Sequence, residues 1–257
     1  MNKVELEIFD SHCHLDRFPR NVKIDDLIKR GIQAGVKAFF VPGITGFPSR
    51  IVELAEFPQI ITGWGVHPVY AENFQENCCE EIAAALKKSV CKAIGECGLD
   101  RRAPVNIEKQ IAAFQWHIDL AREAEMPLVV HLVGHYDKAL EMLKKAGTGL
   151  KKVIHSFAGS CEIAEKFLEI GAYISFSGSV LQKNEEVLQR LVNLVPIDRI
   201  MVETDSPDQR PFFWRGHFNE PASLSGIVER LAEIRSLDLK TFCYIASVNS
   251  RNFFLAG

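Results

Sequence analysis

Short runs of apolar, β-branched or aromatic residues alternate with longer segments whose apolar positions recur every three to four residues, and the alternation continues along the whole chain. The short runs predict strands over 5–10, 36–41, 60–66, 91–95, 127–131, 152–155, 172–176 and 199–204. Helical periodicity falls between them, near 24–34, 49–56, 78–88, 106–125, 136–146, 160–169 and 184–193, and two more helices, near 223–236 and 239–254, follow the last strand. Strands separated by helical crossovers predict a parallel sheet of the α/β class, here a single (β/α)8 barrel. Strands covered on both faces should be almost continuously apolar, and Val36-Lys37-Ala38-Phe39-Phe40-Val41 and Pro127-Leu128-Val129-Val130 largely are. With no repeat, low-complexity tract or linker-like stretch, residues 1–257 read as one domain.

Composition narrows the function classes. A chain of 257 residues that is 47% hydrophobic can bury a large core. A formal net charge of −3 argues against broad electrostatic adhesion to nucleic acid or membrane, so any nucleic-acid contact should be local. The N-terminus enters the strand-like Val4-Glu5-Leu6-Glu7-Ile8-Phe9-Asp10 with no basic leader, and no segment approaches the roughly 18 apolar residues of a membrane span. The seven cysteines are odd in number, lack a Cys-x-x-Cys pair and include an adjacent Cys78-Cys79, which points to reduced thiols and a cytoplasmic setting.

In a (β/α)8 fold the strand ends converge on one face, so residues far apart in sequence can share a site. Metal-ligand residue types stand where apolar runs stop: His12 and His14 after the first, then Glu96, His131, His155 and Asp205. In extended chain His12 and His14 face the same side and can address one ion, although two half-buried histidines bonded to backbone would look the same. Glu96 lies among glycines that permit close backbone approach, and a carboxylate is the ligand type able to bridge two cations; alone it reads as a salt-bridged barrel residue. Asp100 reads as a turn or cap residue, with an orienting role left open. His131 and His155 each read singly as packing, and it is their shared strand-end placement that points to metal. Asp205 can hold a metal and accept a water's proton, or cap the turn that follows; Glu203 can orient a ligand or pack beneath it.

Asp10-Ser11-His12-Cys13-His14-Leu15-Asp16, Gly65-Val66-His67-Pro68, Gly95-Glu96-Cys97-Gly98-Leu99-Asp100, His155-Ser156-Phe157-Ala158-Gly159, Glu203-Thr204-Asp205-Ser206-Pro207 and Asn219-Glu220-Pro221 occur in the order and approximate spacing of the TatD family, which the chain resembles over essentially its whole length. The resemblance implies a TIM-barrel metal-dependent hydrolase related to the amidohydrolases and acting as a deoxyribonuclease on DNA ends or small phosphodiesters. Carried over residue by residue, it implies that His12, His14 and Asp205 hold one divalent ion, His131 and His155 a second, and Glu96 bridges them. Asp205 and Glu96 are then the catalytic carboxylates, and His67 is a phosphate contact rather than a ligand. The family uses Mg²⁺, Mn²⁺ or Zn²⁺, and ligation rich in histidine favours Zn²⁺ or Mn²⁺.

The chain departs from the family pattern in two places. Where relatives commonly have Ser or Thr and then Arg after the strand 5 histidine, Leu132-Val133-Gly134-His135 follow His131, and Phe218 stands before Asn219 where Arg is often found. Arg101, Arg102, Arg210 and Arg215 are the candidate replacements for a phosphate clamp, although each reads equally as a solvated surface charge. The long irregular stretch from Ser206 to about Asn219 adds Phe212, Phe213 and Trp214, which could stack on bases or plug the loop onto the barrel. Two alternatives stand beside the nuclease. One is a metal-dependent hydrolase of amides, esters or lactones, favoured by the missing Arg and disfavoured by a Glu at strand 4 where many amidohydrolases use a carboxylated lysine. The other is a barrel that binds without catalysing.

Overall fold

The computed structural model describes residues 6–45, 49–74 and 91–255; the expected helix near 78–88 and the Cys78-Cys79 pair lie outside the described residues. The strands are β1 (Ile8–Asp10), β2 (Val36–Val41), β3 (Ile60–Trp64), β4 (Cys91–Asp100), β5 (Leu128–Val133), β6 (Lys152–Ile154), β7 (Tyr173–Phe176) and β8 (Ile200–Val202). They follow one another in one sheet in chain order, and the ladders β1–β2, β3–β4, β4–β5, β5–β6 and β7–β8 are parallel, as the alternation predicts for a (β/α)8 barrel. The helices are α1 (Ile24–Gln33), α2 (Ser49–Leu54), α3 (Ile107–Glu123), α4 (Tyr136–Lys145), α5 (Cys161–Glu169), α6 (Glu185–Leu194), α7 (Leu224–Ile234) and α8 (Leu239–Phe254). Three of them begin at short polar residues suited to a cap. Asn106, Asn184 and Asp238 accept the backbone N–H groups of Glu108, Glu186 and Thr241 and so start α3, α6 and α8. Among the described residues no helix is long and apolar enough to cross a membrane.

Contacts gather the chain into two compact units that interleave in sequence: residues 1–41, 156–165 and 174–257 in the first, 42–155 and 166–173 in the second. In the first unit α8 closes over β1 through a stack of rings, with Phe254 4.2 Å from Phe40 and 5.7 Å from Phe9 between centroids. All three rings are buried, and each contributes about 1.5–3 kcal/mol by leaving water. The chain past β8 is laid against the chain past β1, since Ser11 N donates to Val202 O and Asp205 N to His12 O.

The second unit is organised around β4, which does not stop near residue 95 but runs to Asp100, opposite Val133 of β5. Two glycines make the close approach possible. A Cβ on Gly95 (φ +127°) would lie 2.5 Å from the Val129 carbonyl oxygen, and one on Gly98 (φ +143°) would collide with the His131 carbonyl oxygen. The register slips between Ile94 and Cys97, so Glu96 sits in an irregularity of the strand, a local device that re-aims a side chain.

Candidate functional site

In the first unit β1 ends at Asp10, so His12 and His14 lie just beyond the strand rather than on it. The chain there is still tied to the end of β2: Cys13 N donates to Phe40 O, and the Cys13 thiol faces the same carbonyl from the core. The two imidazoles therefore meet, Nε2 to Nε2, at 3.2 Å. Asp205 joins them from the far end of the sequence, its Oδ1 3.5 Å from His14 Nε2 and 3.8 Å from His12 Nε2. Its backbone is left-handed (φ +54°), a conformation Asp tolerates better than most residues and one that often marks functional positions. All three side chains are buried.

What holds this cluster is a second, fully buried carboxylate. Asp10 Oδ2 accepts from Thr204 Oγ1 at 2.6 Å, and its Oδ1 accepts from Thr204 N at 2.9 Å, tying the end of β1 to the residue before Asp205. Burial pushes the Asp10 carboxyl up to about 8 despite those hydrogen bonds. Glu203 accepts the backbone N–H of Ser156 at 2.7 Å and also lies within 3.5 Å of the Ser11 hydroxyl, so it braces backbone beneath the cluster.

In the second unit Glu96 is the centre. Its Oε1 lies 2.8 Å from His131 Nδ1, 2.8 Å from His155 Nε2 and 3.5 Å from His67 Nε2, and the first two nitrogens are 3.0 Å apart. Glu96 is 2% exposed, which places a carboxylate and two imidazole nitrogens in mutual contact away from water. His67 has a separate character. Its Nδ1 accepts the Val69 N–H at 3.1 Å, so the neutral ring carries its proton on Nε2 and offers a donor rather than a lone pair.

Asp100 is the buried last residue of β4 and, as the turn reading expects, it starts the turn that follows, its Oδ1 accepting the Arg102 N–H and its carbonyl the Ala103 N–H; its Oδ2 lies 3.1 Å from His131 Nε2. Burial pushes its carboxyl up, and the hydrogen bonds from His131 and the Arg102 backbone outweigh that and hold it well below the ordinary carboxylate range. For His131, burial acts downward and the Asp100 and Glu96 carboxylates override it, so the imidazole is raised.

The candidate substrate contacts fall into different environments. Arg101 donates its backbone N–H to Val133 O and lays its stem over Gly134, where an added Cβ would come within 2.7 Å of Arg101 Cδ. Its side chain is exposed and makes no ion pair among the described residues. Arg102 turns both its backbone N–H, at 2.7 Å, and its Nε, at 3.4 Å, toward Asp100 Oδ1. After β8, Arg210 donates to Gly216 O, and the Trp214 indole donates to Phe218 O at 3.0 Å. Phe213 packs on α7, where a Cβ on Gly226 would meet its ring at 2.7 Å. Phe212 is the outward member of the trio at 71% exposure, and Arg215 is exposed as well.

One residue escaped the sequence pattern altogether. His117, in the middle of α3 and fully buried, donates from Nδ1 to Ala113 O at 2.6 Å and accepts the Val66 N–H at Nε2 at 2.9 Å, one residue before His67. Burial pushes this imidazole down to about 4, so it is neutral at physiological pH. No spacing rule marks a helix histidine as the anchor of a loop, and only the fold reveals it.

Both clusters suit a cation. Donors held about 2.0–2.2 Å from one divalent ion, at tetrahedral or octahedral angles, lie roughly 2.8–3.6 Å from each other. The nitrogen–nitrogen and nitrogen–oxygen separations are 3.2, 3.5 and 3.8 Å in the first cluster and 2.8, 2.8 and 3.0 Å in the second. Imidazole with carboxylate is also the donor chemistry of catalytic transition-metal sites.

Comparison with known proteins agrees with the geometry. The family model for TatD-related DNases matches residues 9–255. An uncharacterized metal-dependent hydrolase of Buchnera aphidicola is 32% identical, covering 96% of this chain and 98% of its own. A second, from Bacillus subtilis, is 29% identical with the same coverage of 96% and 98%. Among solved structures, the TatD homolog YjjV of Escherichia coli matches with a TM-score of 0.89 at 25% identity over 96% of this chain and 97% of that one. A TatD family hydrolase of Entamoeba histolytica shares the fold with a TM-score of 0.85 at 22% identity, over 98% and 99%.

Proposed function

This chain belongs to the TatD family of metal-dependent hydrolases, and from that premise we propose that it is a phosphodiesterase acting on DNA ends or small phosphodiesters with two divalent cations, Zn²⁺ or Mn²⁺ ahead of Mg²⁺. The observation that carries the proposal is the pair of buried histidine–carboxylate clusters, each with donor spacings that suit one ion. His12, His14 and Asp205 would hold one cation, and Glu96, His131 and His155 the other. When bound, the cations supply positive charge that polarises the phosphoryl group and makes a nearby water more acidic.

The chain's own residues do the rest. Asp205, pinned through its backbone to His12 O, takes the proton of the attacking water. His67 offers its Nε2–H to a phosphate oxygen, a role supported by the commitment of its other nitrogen to Val69. Arg101 contributes an exposed guanidinium beside the end of β5, and Phe212 an exposed ring for stacking on a base. Arg102, Arg210, Arg215 and Trp214 remain candidate contacts, with Arg102 and Trp214 also bracing their own loops. A reducing, cytoplasmic setting belongs to the same proposal, supported by the buried free thiols of Cys13, Cys91, Cys97, Cys161 and Cys243.

A second reading keeps the metals and changes the bond. Leu132 and Val133 put half-buried apolar surface at the end of β5, which suits the acyl portion of an ester, amide or lactone better than a phosphate. The deciding experiment reconstitutes the protein with Zn²⁺ or Mn²⁺ and assays short single-stranded DNA, a small phosphodiester, an ester and a lactone side by side. Metal-dependent phosphodiester cleavage is expected, falling at least about a hundredfold in turnover in Asp205→Asn. Opening of a lactone or ester without cleavage of any phosphodiester would install the second reading, and an Asp205→Asn enzyme within about threefold of wild type would remove Asp205 as the base.

A further inference from the structure

The structure assigns Asp100 the role of fixing the tautomer of His131, so that this imidazole meets its cation through Nδ1 while Nε2 keeps the proton. Only the metal-binding part of the proposed function is needed for this, not the identity of the substrate. A neutral imidazole has one N–H and one lone pair, and a metal requires the lone pair. His131 Nδ1 faces the donors Glu96 Oε1 and His155 Nε2 at 2.8 and 3.0 Å, whereas the hydrogen-bond partner of Nε2 among the described residues is Asp100 Oδ2, at 3.1 Å. The proton that leaves Nδ1 available must therefore sit on Nε2 and be accepted by Asp100. An outer carboxylate that orients a ligand histidine in this way typically changes metal affinity by about 10- to 100-fold.

Asp100 is built to be an acceptor and nothing else. Its Oδ1 is committed to the Arg102 N–H at 2.7 Å and Nε at 3.4 Å, so Oδ2 is the oxygen turned to the ring. Its backbone is clamped by the buried Gln110 of α3: Asp100 N donates to Gln110 Oε1 at 2.8 Å, and Gln110 Nε2 donates to Asp100 O at 3.2 Å and to Val105 O at 2.9 Å. Gln110 thus fixes the backbone, and the carboxylate cannot swing away from the ring without giving up the Arg102 N–H. A residue serving only to finish β4 would need neither oxygen aimed at His131.

The arrangement makes the isosteric variant the informative one. In Asp100→Asn the Arg102 N–H still demands an oxygen at the Oδ1 position, which leaves the amide NH₂ facing His131 Nε2. Donor then meets donor unless the imidazole proton moves to Nδ1, where it blocks the cation. Asp100→Ala removes the acceptor without imposing the wrong tautomer, so its defect should be the smaller of the two.

The test uses full-length protein labelled with ¹⁵N-histidine and titrated with buffered free Zn²⁺, following the His131 ring resonances. Wild type loaded with Zn²⁺ should show a protonated Nε2 and a metal-shifted Nδ1. Half-saturation of the His131 signals should need about 10- to 100-fold more free Zn²⁺ in Asp100→Asn, and less than that in Asp100→Ala, with circular dichroism unchanged. A metal-bound Nε2 in wild type, or Zn²⁺ half-saturation within about threefold of wild type in both variants, would overturn the assignment. Should Asp100→Asn fail to fold, the wild-type tautomer and the Ala variant still decide it, and neither readout involves a substrate.

Discussion

The two donor clusters reach similar chemistry by different construction. His12, His14 and Asp205 stand on chain that has already left β1 and β8, and their donor atoms are spaced by 3.2 to 3.8 Å. Glu96 and His131 are still inside β4 and β5, with His155 one residue past β6, and the closest separations there are 2.8 to 3.0 Å. The first cluster is therefore positioned by single backbone ties between loops, such as Asp205 N to His12 O, together with Asp10 to Thr204, and the second by the sheet ladder itself, with Asp100 behind it. Ligands on a ladder have few ways to relax, whereas ligands on tied loops can adjust around an ion. A buried acidic side chain stands beside each cluster, Asp10 tying the backbone of Thr204 to the end of β1 and Asp100 meeting the His131 ring itself.

Emptying one cluster at a time breaks the comparison most severely. His12→Ala with His14→Ala should lower the bound divalent metal by about one equivalent and turnover by at least about a hundredfold, leaving the ion at Glu96, His131 and His155 in place. Elemental analysis of the purified double variant reads this directly. Metal content equal to wild type would show that the first cluster holds no ion.

The second cluster also leans on a buried histidine, and that dependence should appear in stability against pH. His117 titrates near 4 in the folded chain against 6.5 when exposed, a difference of about 3 kcal/mol at full development. Below pH 6.5 the unfolded chain takes up a proton that the folded chain refuses until about pH 4, so folding weakens as pH falls through that window. Urea melts should register a loss of about 2 kcal/mol between pH 7 and pH 5 from this group. His117→Gln, whose amide can still accept from Val66, should lose that component of the slope; equal slopes in the two proteins would assign the effect elsewhere.

The smallest effect sharpens the loop after β8, which belongs with the first cluster. Phe212→Ala should raise KM for single-stranded DNA by about fivefold while sparing turnover, the lower range for loss of one base stack. Trp214→Phe removes only the indole donor to Phe218 O and should cost about 1 kcal/mol of stability with KM little changed. A KM that ignores Phe212 and follows Trp214 would reverse the two roles.

The alternation of apolar runs and helical periodicity located the described strands and α-helices to within a few residues, the end of β4 apart, because burial on both faces leaves its mark on composition wherever a strand lies; the short 3-10 turns such as Pro68–Asn73 left no such mark. The one large error was the end of β4. Gly98 and Asp100 do not resemble strand residues, and they are tolerated there because the glycine admits the His131 backbone and the carboxylate has an imidazole to receive. The split among Phe212, Phe213 and Trp214 was equally invisible, since three adjacent aromatics look alike until one packs on Gly226 and another finds the Phe218 carbonyl.

By itself the sequence determined the (β/α)8 architecture and the ligand-type residues waiting at strand ends, both of which are written in local periodicity and residue chemistry. Tertiary structure alone decided which donors meet: His14 with Asp205, His131 with Glu96 on one ring nitrogen and Asp100 on the other, His117 with the turn before His67. Those pairings join segments up to nearly two hundred residues apart, and the direction in which an imidazole turns its lone pair depends on what the rest of the chain places beside it.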